Sequence, residues 1–378
     1  MNTPMLMTPG PTFIHEDVRK AMAKEITNPD LDLNFFDYYQ ETCEEIKKIF
    51  HTKNDVFILS GEGILGLEAA CCSLIEPGDR VLCIDNGLYG NEFANFAKIY
   101  GAEVTYYKSD YRSPVSVKEL EKFLQSEKNF KVATLVHCET PSGITNPIDT
   151  LCPLLKKYGI LTIVDSASGV GGEEMQADKW KIDIVLSGSQ KCLSAAPGLT
   201  IISISEDAWN KIHNRSTPIQ GFYCNLEIWE NWYQNKFFPY TQPISDIFGL
   251  RKAIERYLSN PDILVQYKKI AKATRESLIQ SGLQLYPLDG YSNTVTTICI
   301  PEEISYAELF ENMLKGYNIM IGGGLGALEG KVFRIGHMGE NCKEEKVSLT
   351  LKALDQVLRK YGVPLEKNIH KEFINLLD

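Results

Sequence analysis

The stretch Asp183-Ile184-Val185-Leu186-Ser187-Gly188-Ser189-Gln190-Lys191-Cys192-Leu193-Ser194-Ala195-Ala196-Pro197-Gly198-Leu199 joins a short apolar run to a turn of small and polar residues. Ile184 to Leu186 reads as a buried strand, and Ser187 to Gln190 can pack against a ligand at its end. Lys191 follows at once. Partial desolvation there would lower the pKa of the amine and let it attack a carbonyl in its neutral form. The competing reading is a solvated lysine in a turn, and the rest of the chain has to decide between them.

Outward from this stretch the pattern alternates. Strands are expected at Val56 to Leu59, Val81 to Ile84, Val104 to Tyr107, Val132 to Val136, Leu161 to Val164, Ile184 to Leu186 and Thr200 to Ser203. Helical patterns at Ile64 to Leu74, Tyr89 to Tyr100, Val117 to Leu124 and Thr150 to Tyr158 separate them. Such alternation predicts an α/β fold with a mostly parallel seven-stranded sheet, whose ligands gather beyond the carboxyl ends of the strands. Residues 1–14, with Pro9 and Pro11 around Gly10, form an extended N-terminal arm. A large domain is expected over 15–258 and a smaller α+β domain over 259–378, divided at the helix-stopping trio Ser259-Asn260-Pro261. Trp229 to Tyr240 is aromatic-rich and suits an interface between domains or subunits. The run Gly322-Gly323-Gly324 reads as a flexible strand-end loop.

At 378 residues, with a hydrophobic fraction of 44% and a charged fraction of 23%, the composition is that of a water-soluble globular protein. A net charge of -10 without a basic block argues against nucleic acid or an anionic membrane as partner. No apolar run reaches the roughly 18 residues of a membrane span, and the first residues lack the pattern of a signal peptide, so a cytoplasmic location is expected. The ten cysteines are scattered, with no Cys-x-x-Cys pair, so neither a metal site nor a disulfide framework is indicated. Cys71 and Cys72 read as core, and His137 as a hydrogen-bonded packing residue.

Four strand ends carry polar or glycine-rich sequence: Ser60-Gly61-Glu62-Gly63, Asn86-Gly87-Leu88-Tyr89, His137-Cys138-Glu139-Thr140 and Asp165-Ser166-Ala167-Ser168. The first is a strand, glycine turn and helix start, which points N–H groups at a ligand. A buried carboxylate at Asp165 needs a cationic partner, and a pyridinium nitrogen would serve. An aspartate for a ring nitrogen and a lysine for an aldehyde are the two contacts that pyridoxal chemistry requires, with Tyr89 to stack on the ring and Thr140 to bond its oxygen.

These stretches, with Thr8-Pro9-Gly10-Pro11, Leu67-Glu68-Ala69-Ala70, Glu76-Pro77-Gly78-Asp79, Ser187-Gly188-Ser189-Gln190-Lys191 and Arg334-Ile335-Gly336, resemble the fold-type I, class V aminotransferases of the alanine–glyoxylate and serine–pyruvate group over nearly the whole chain. The resemblance implies that Lys191 forms the Schiff base and that Asp165 holds the ring nitrogen. It further implies that Tyr89 stacks, Thr140 bonds the phenolic oxygen and Arg334 clamps the substrate carboxylate. Gly61, Glu62, Gly63, Ser187 and Gln190 would complete the ring site. Phe238 and Thr241 would reach the pocket of a second subunit, in a homodimer or homotetramer.

Two positions depart from the phosphate-using members, which usually carry a small hydroxyl residue where Glu62 stands and a partner-subunit tyrosine where Phe238 stands. A carboxylate facing a phosphate dianion is repulsive, and phenylalanine lacks a donor. Within the family this pattern, with Thr140-Pro141-Ser142-Gly143, Asn146-Pro147-Ile148-Asp149, Trp229-Glu230-Asn231 and Arg334-Ile335-Gly336-His337-Met338-Gly339, is similar to the pyridoxamine–pyruvate branch. That branch takes unphosphorylated pyridoxal and pyridoxamine as substrates. Leu325 stands where the branch has a second substrate-binding arginine, so the 2-oxo acid is left open. Three readings therefore go forward: transfer of an amino group from pyridoxamine to pyruvate, a pyridoxal 5′-phosphate-dependent alanine/serine–glyoxylate aminotransferase, and a binding protein without turnover. Glu62 has a purely structural alternative as well, because acidic residues favour helix N-termini.

Overall fold

The structure is a computed structural model and describes residues 3–377. Its strands are β1 Met5–Met7, β2 Asp55–Ser60, β3 Arg80–Asp85, β4 Glu103–Lys108, β5 Val132–Val136, β6 Cys138–Glu139, β7 Ile144–Thr145, β8 Leu161–Asp165, β9 Ile184–Gly188, β10 Leu199–Ile204, β11 Val295–Cys299, β12 Ile319–Gly323 and β13 Val332–Gly336. Seven of them form the main sheet in the order β2-β10-β9-β8-β5-β3-β4. Only β10 runs against its neighbours, β2 and β9; the other pairs are parallel. The mostly parallel seven-stranded sheet expected from the alternation is thus present. Its inner strands are near-continuous apolar runs because helices cover both faces, and every residue of β5 and β10 is buried.

The helices that matter for the site are α1 Glu16–Met22, α2 Leu33–Phe50, α3 Gly63–Leu74 and α4 Leu88–Ile99. α3 lies close on the sheet because Gly66 faces Thr200, where an added Cβ would come within 2.4 Å of the threonine methyl. The register sets the strand ends level: Val136 pairs with Asp165, and Asp165 with Leu186. Ser60 pairs with Leu199 and Gly188 with Thr200, which brings the start of α3 to the same edge.

A second sheet, β1-β12-β13-β11, lies in the C-terminal part. Buried apolar side chains fall into two clusters. One is built around the main sheet, and the other runs from Tyr267 to Phe373 with Met7, Cys138 and Cys192 joining it. We propose the division between them at Ser259 to Pro261, between helices Ile244–Leu258 and Ile263–Gln280.

Several expectations need correction. The extended arm contributes a strand that the sequence pattern does not give, since Met5–Met7 pairs in parallel with β12, Met5 opposite Ile319. Met1 and Asn2 lie outside the described residues. Gly322 and Gly323 belong to β12 and pair with Arg334 and Phe333, so this part of the glycine run is strand. Close approach explains the glycines: a Cβ on Gly322 would sit 2.8 Å from Pro9 of the arm, and one on Gly323 would sit 2.7 Å from the Tyr306 ring. Much of the aromatic segment is core rather than interface, because Trp229, Trp232 and Phe238 are buried within their own chain while Phe237 is exposed. Helices Glu206–His213 and Ile369–Leu377 add to the expected set.

Candidate active site

Lys191 follows the end of β9 and lines a cavity of about 230 Å³ together with Glu62, Tyr89, Thr140, Asp165 and Gln190. Burial lowers the pKa of the Lys191 amine, and Asp165 opposes that shift in part. Its Nζ donates to the Pro9 carbonyl at 2.8 Å. The arm is tied to the same turn, since Thr12 N–H donates to Gln190 O at 3.0 Å and Thr12 Oγ1 to Lys191 O at 3.0 Å. Gly10 passes so close that a Cβ there would lie 2.5 to 2.9 Å from the lysine side chain. The Thr8-Pro9-Gly10-Pro11 motif was the available signal for this contact, but a carbonyl that meets a lysine across the fold cannot be read from the motif itself.

Asp165 ends β8 and is 8% exposed. Ala167 N–H donates to its Oδ1 at 2.8 Å, and among the described residues no cation stands within ion-pair distance. Burial raises its pKa, against the pull of the Ala167 N–H and Lys191. The carboxylate therefore lacks what it was expected to need, a buried cationic donor. Arg334 on β13 is its counterpart, 7% exposed, with Nε donating to Gly323 O at 2.7 Å. Burial lowers the guanidinium pKa, Tyr89 lies beside it, and no carboxylate pairs with it among the described residues.

Thr140 shares a hydrogen bond of 2.7 Å with Ser168. His137 is buried and bonds Ser166 at 2.9 Å, and burial pushes its pKa down to about 3, as suits a packing residue. Cys71 and Cys72 are core. Glu62 is the N-cap of α3: Ile64 N–H donates to Oε1 at 3.1 Å, and Gln190 Nε2 donates to Oε2 at 3.3 Å. The capping role and the place in the cavity hold together. Gln190 Oε1, against Gly188, is buried without a partner.

Not every expected residue comes together. Gly63 lines the cavity, whereas Gly61 packs under Leu65 and Ser187 is buried with Oγ near Ala167 O. Phe238 is 3% exposed and stacks on Phe36 at 4.4 Å and Trp232 at 5.1 Å, so its ring packs in the core of its own chain. Thr241 is exposed and lines a separate surface cavity with Ile26 to Asp30. Of the two departures from the phosphate-using members, Glu62 is the one that lines the Lys191 cavity.

The site combines a desolvated amine and a buried carboxylate in one cavity with a buried guanidinium that lies beside Tyr89 but outside the cavity lining, and neither charged group has an ion-pair partner among the described residues. Such residues can hold a protonated ring at Asp165 and a carboxylate at Arg334, with Lys191 near both to attack a carbonyl or move a proton. The family profile Aminotransferase class-V matches residues 7–346. The chain belongs to the class V aminotransferases. An uncharacterized aminotransferase of Methanocaldococcus jannaschii is 35% identical, over 96% of this chain and 95% of that protein. Alanine–glyoxylate aminotransferase of Drosophila melanogaster is 30% identical over 97% and 95%. The crystal structure of pyridoxamine–pyruvate aminotransferase from Mesorhizobium loti superposes with a TM-score of 0.95 at 30% identity, over 100% of this chain and 97% of that one.

This aminotransferase has the fold-type I architecture of its structural neighbours. Class V aminotransferases use pyridoxal 5′-phosphate. The ring-binding requirements of that group fit the chain, since Asp165 has no ion-pair partner among the described residues and Lys191 is desolvated. Its phosphate requirement fits less well, because the α3 N-terminus already holds the Glu62 carboxylate. Among the described residues no group of His, Cys, Asp and Glu is placed to hold a metal ion, and no helix is long and apolar enough to cross a membrane.

Proposed function

We propose that this aminotransferase moves the amino group of pyridoxamine to a small 2-oxo acid, with pyruvate giving alanine and pyridoxal. The observation that carries this reading is Glu62. At the helix end where a phosphate would accept N–H donors, the chain places its own carboxylate, with Gln190 Nε2 drawn onto it and Gln190 Oε1 an unpartnered acceptor alongside. A phosphate offers only acceptors to this end, whereas the hydroxymethyl group of an unphosphorylated vitamer offers a donor.

The pyridine ring supplies an electron sink for the carbon that loses its proton. Asp165 keeps the ring nitrogen protonated, Thr140 donates to the ring oxygen, and Tyr89 covers one face. Arg334 orients the 2-oxo acid by its carboxylate. Lys191, as a free amine, takes the proton from the ring-side carbon and returns it to the substrate carbon. The exposed Phe222, Tyr223 and Phe237 suit an apolar contact with a second copy, and we assign a homodimer on that ground.

The test is a steady-state assay with pyridoxamine and pyruvate, with pyridoxal and alanine measured together. Stoichiometric formation of both supports the reading. A protein that transfers amino groups from alanine to glyoxylate only when loaded with pyridoxal 5′-phosphate, and leaves pyridoxamine untouched, is the phosphate-dependent enzyme instead.

A further inference from the structure

Glu139 lies beneath the site, fully buried on β6, and is not among the residues lining the cavity. Its Oε1 accepts from Tyr89 N–H and its Oε2 from Gly90 N–H, both at 3.0 Å. These are the opening turns of α4, whose own N-cap is Gly87, with no side chain to offer. An α-helix start leaves N–H groups without partners, and here a carboxylate 50 residues away in sequence supplies them. We infer that Glu139 is a positioning residue for the enzyme: it fixes the start of α4 and thereby holds the Tyr89 ring against the vitamer.

The packing is built around that carboxylate. A Cβ on Gly87 would lie 2.3 Å from Glu139 Cγ and 2.4 Å from Cδ, and one on Gly90 would lie 2.8 Å from Ile84 O. Both small residues keep the helix end down on the glutamate. Asp85 at the end of β3 and Asp165 at the end of β8 face it, and burial, reinforced by these two carboxylates, pushes Glu139 up to about 7. Asp85 is itself engaged by the Tyr111 hydroxyl and Asn91 Nδ2. The two N–H donors are what offset the burial of the acid, so the acid and the helix end stabilise one another.

This inference rests on the assignment of Tyr89 to the ring face made above. It is tested by equilibrium titration with pyridoxal and, in a parallel series, pyridoxal 5′-phosphate, alongside the KM for pyruvate. Glu139→Gln keeps the shape but turns an amide NH2 towards one of the two N–H donors. The expected result is about a tenfold rise in the dissociation constant of whichever vitamer the native protein binds, with the pyruvate KM within about twofold. Gly87→Ala, which pushes the carboxylate aside without changing its charge, should act in the same direction. In the double variant Y89A/E139Q, the loss should equal that of Y89A alone, because Glu139 acts through Tyr89. Additive losses, or an unchanged dissociation constant in both E139Q and G87A, overturn the inference while leaving the reading of Tyr89 intact. An unchanged constant in Y89A overturns both.

Discussion

In one part of the Lys191 cavity the buried Asp165 carboxylate has no ion-pair partner among the described residues, while in another the start of α3 is already closed by the Glu62 carboxylate of the same chain. The first end is incomplete without a ligand, and the second is satisfied in its absence. An end that costs folding free energy until a ligand arrives is one built for that ligand's charge. An end that caps itself needs no phosphate to hold the helix. On the proposed reading the two regions together favour a protonated ring without a phosphate dianion.

The largest expected effect leaves both ends in place and removes what lies between them. Lys191→Ala should lower kcat by about a thousandfold or more in the pyridoxamine–pyruvate assay. Retained turnover would dissociate the cavity from the chemistry. Asp165→Asn attacks the incomplete end, and should cost about a hundredfold or more in kcat. The same change should raise the unfolding midpoint of the ligand-free protein at neutral pH. Because the folded pKa of Asp165 lies above its unfolded value, its contribution to stability is present in acid and lost as pH rises through the folded pKa. Calorimetry that shows Asp165→Asn to be destabilised at neutral pH would mean the carboxylate has a cation already.

A pH profile sharpens the same point at a smaller amplitude. Burial holds the Lys191 amine below its ordinary value of 10.5, so kcat/KM should rise with pH and level off below that value. A rise that continues to pH 10.5 would place Lys191 in solvent. The smallest functional effect belongs to Phe238→Tyr. It puts a hydroxyl into the ring stack with Phe36 and Trp232 and should cost about 1–2 kcal/mol of stability by denaturant titration, with no change in the preference between pyridoxal and its phosphate.

How far the sequence reaches follows from the range of the interactions. The seven main-sheet strands were legible because strands covered on both faces are short apolar runs, and Asp165 and Lys191 because each stands where such a run stops. β12 was missed because Gly322 and Gly323 are there for the sake of Pro9 and Tyr306, whose approach leaves no trace in local composition. Glu139 was passed over for a similar reason, since the helix end it serves lies in another part of the chain. Phe238 was placed by family position alone, and only its stacking partners show that it belongs to the core. Glu62 has two readings, cap and ligand contact; the hydrogen bond from Ile64 N–H establishes the cap, and its place in the cavity lining supports the second as a proposal.

A single paired titration tests whether the self-capped end at Glu62 excludes a phosphate. Pyridoxal and pyridoxal 5′-phosphate are each titrated into the native protein and into Glu62→Ser, and the ratio of dissociation constants is compared. The native protein should favour pyridoxal, and the serine variant should shift the ratio towards the phosphate by tenfold or more, about 1.4 kcal/mol or above. Tighter binding of the phosphate by the native protein, with a ratio that Glu62→Ser leaves unchanged, would contradict it.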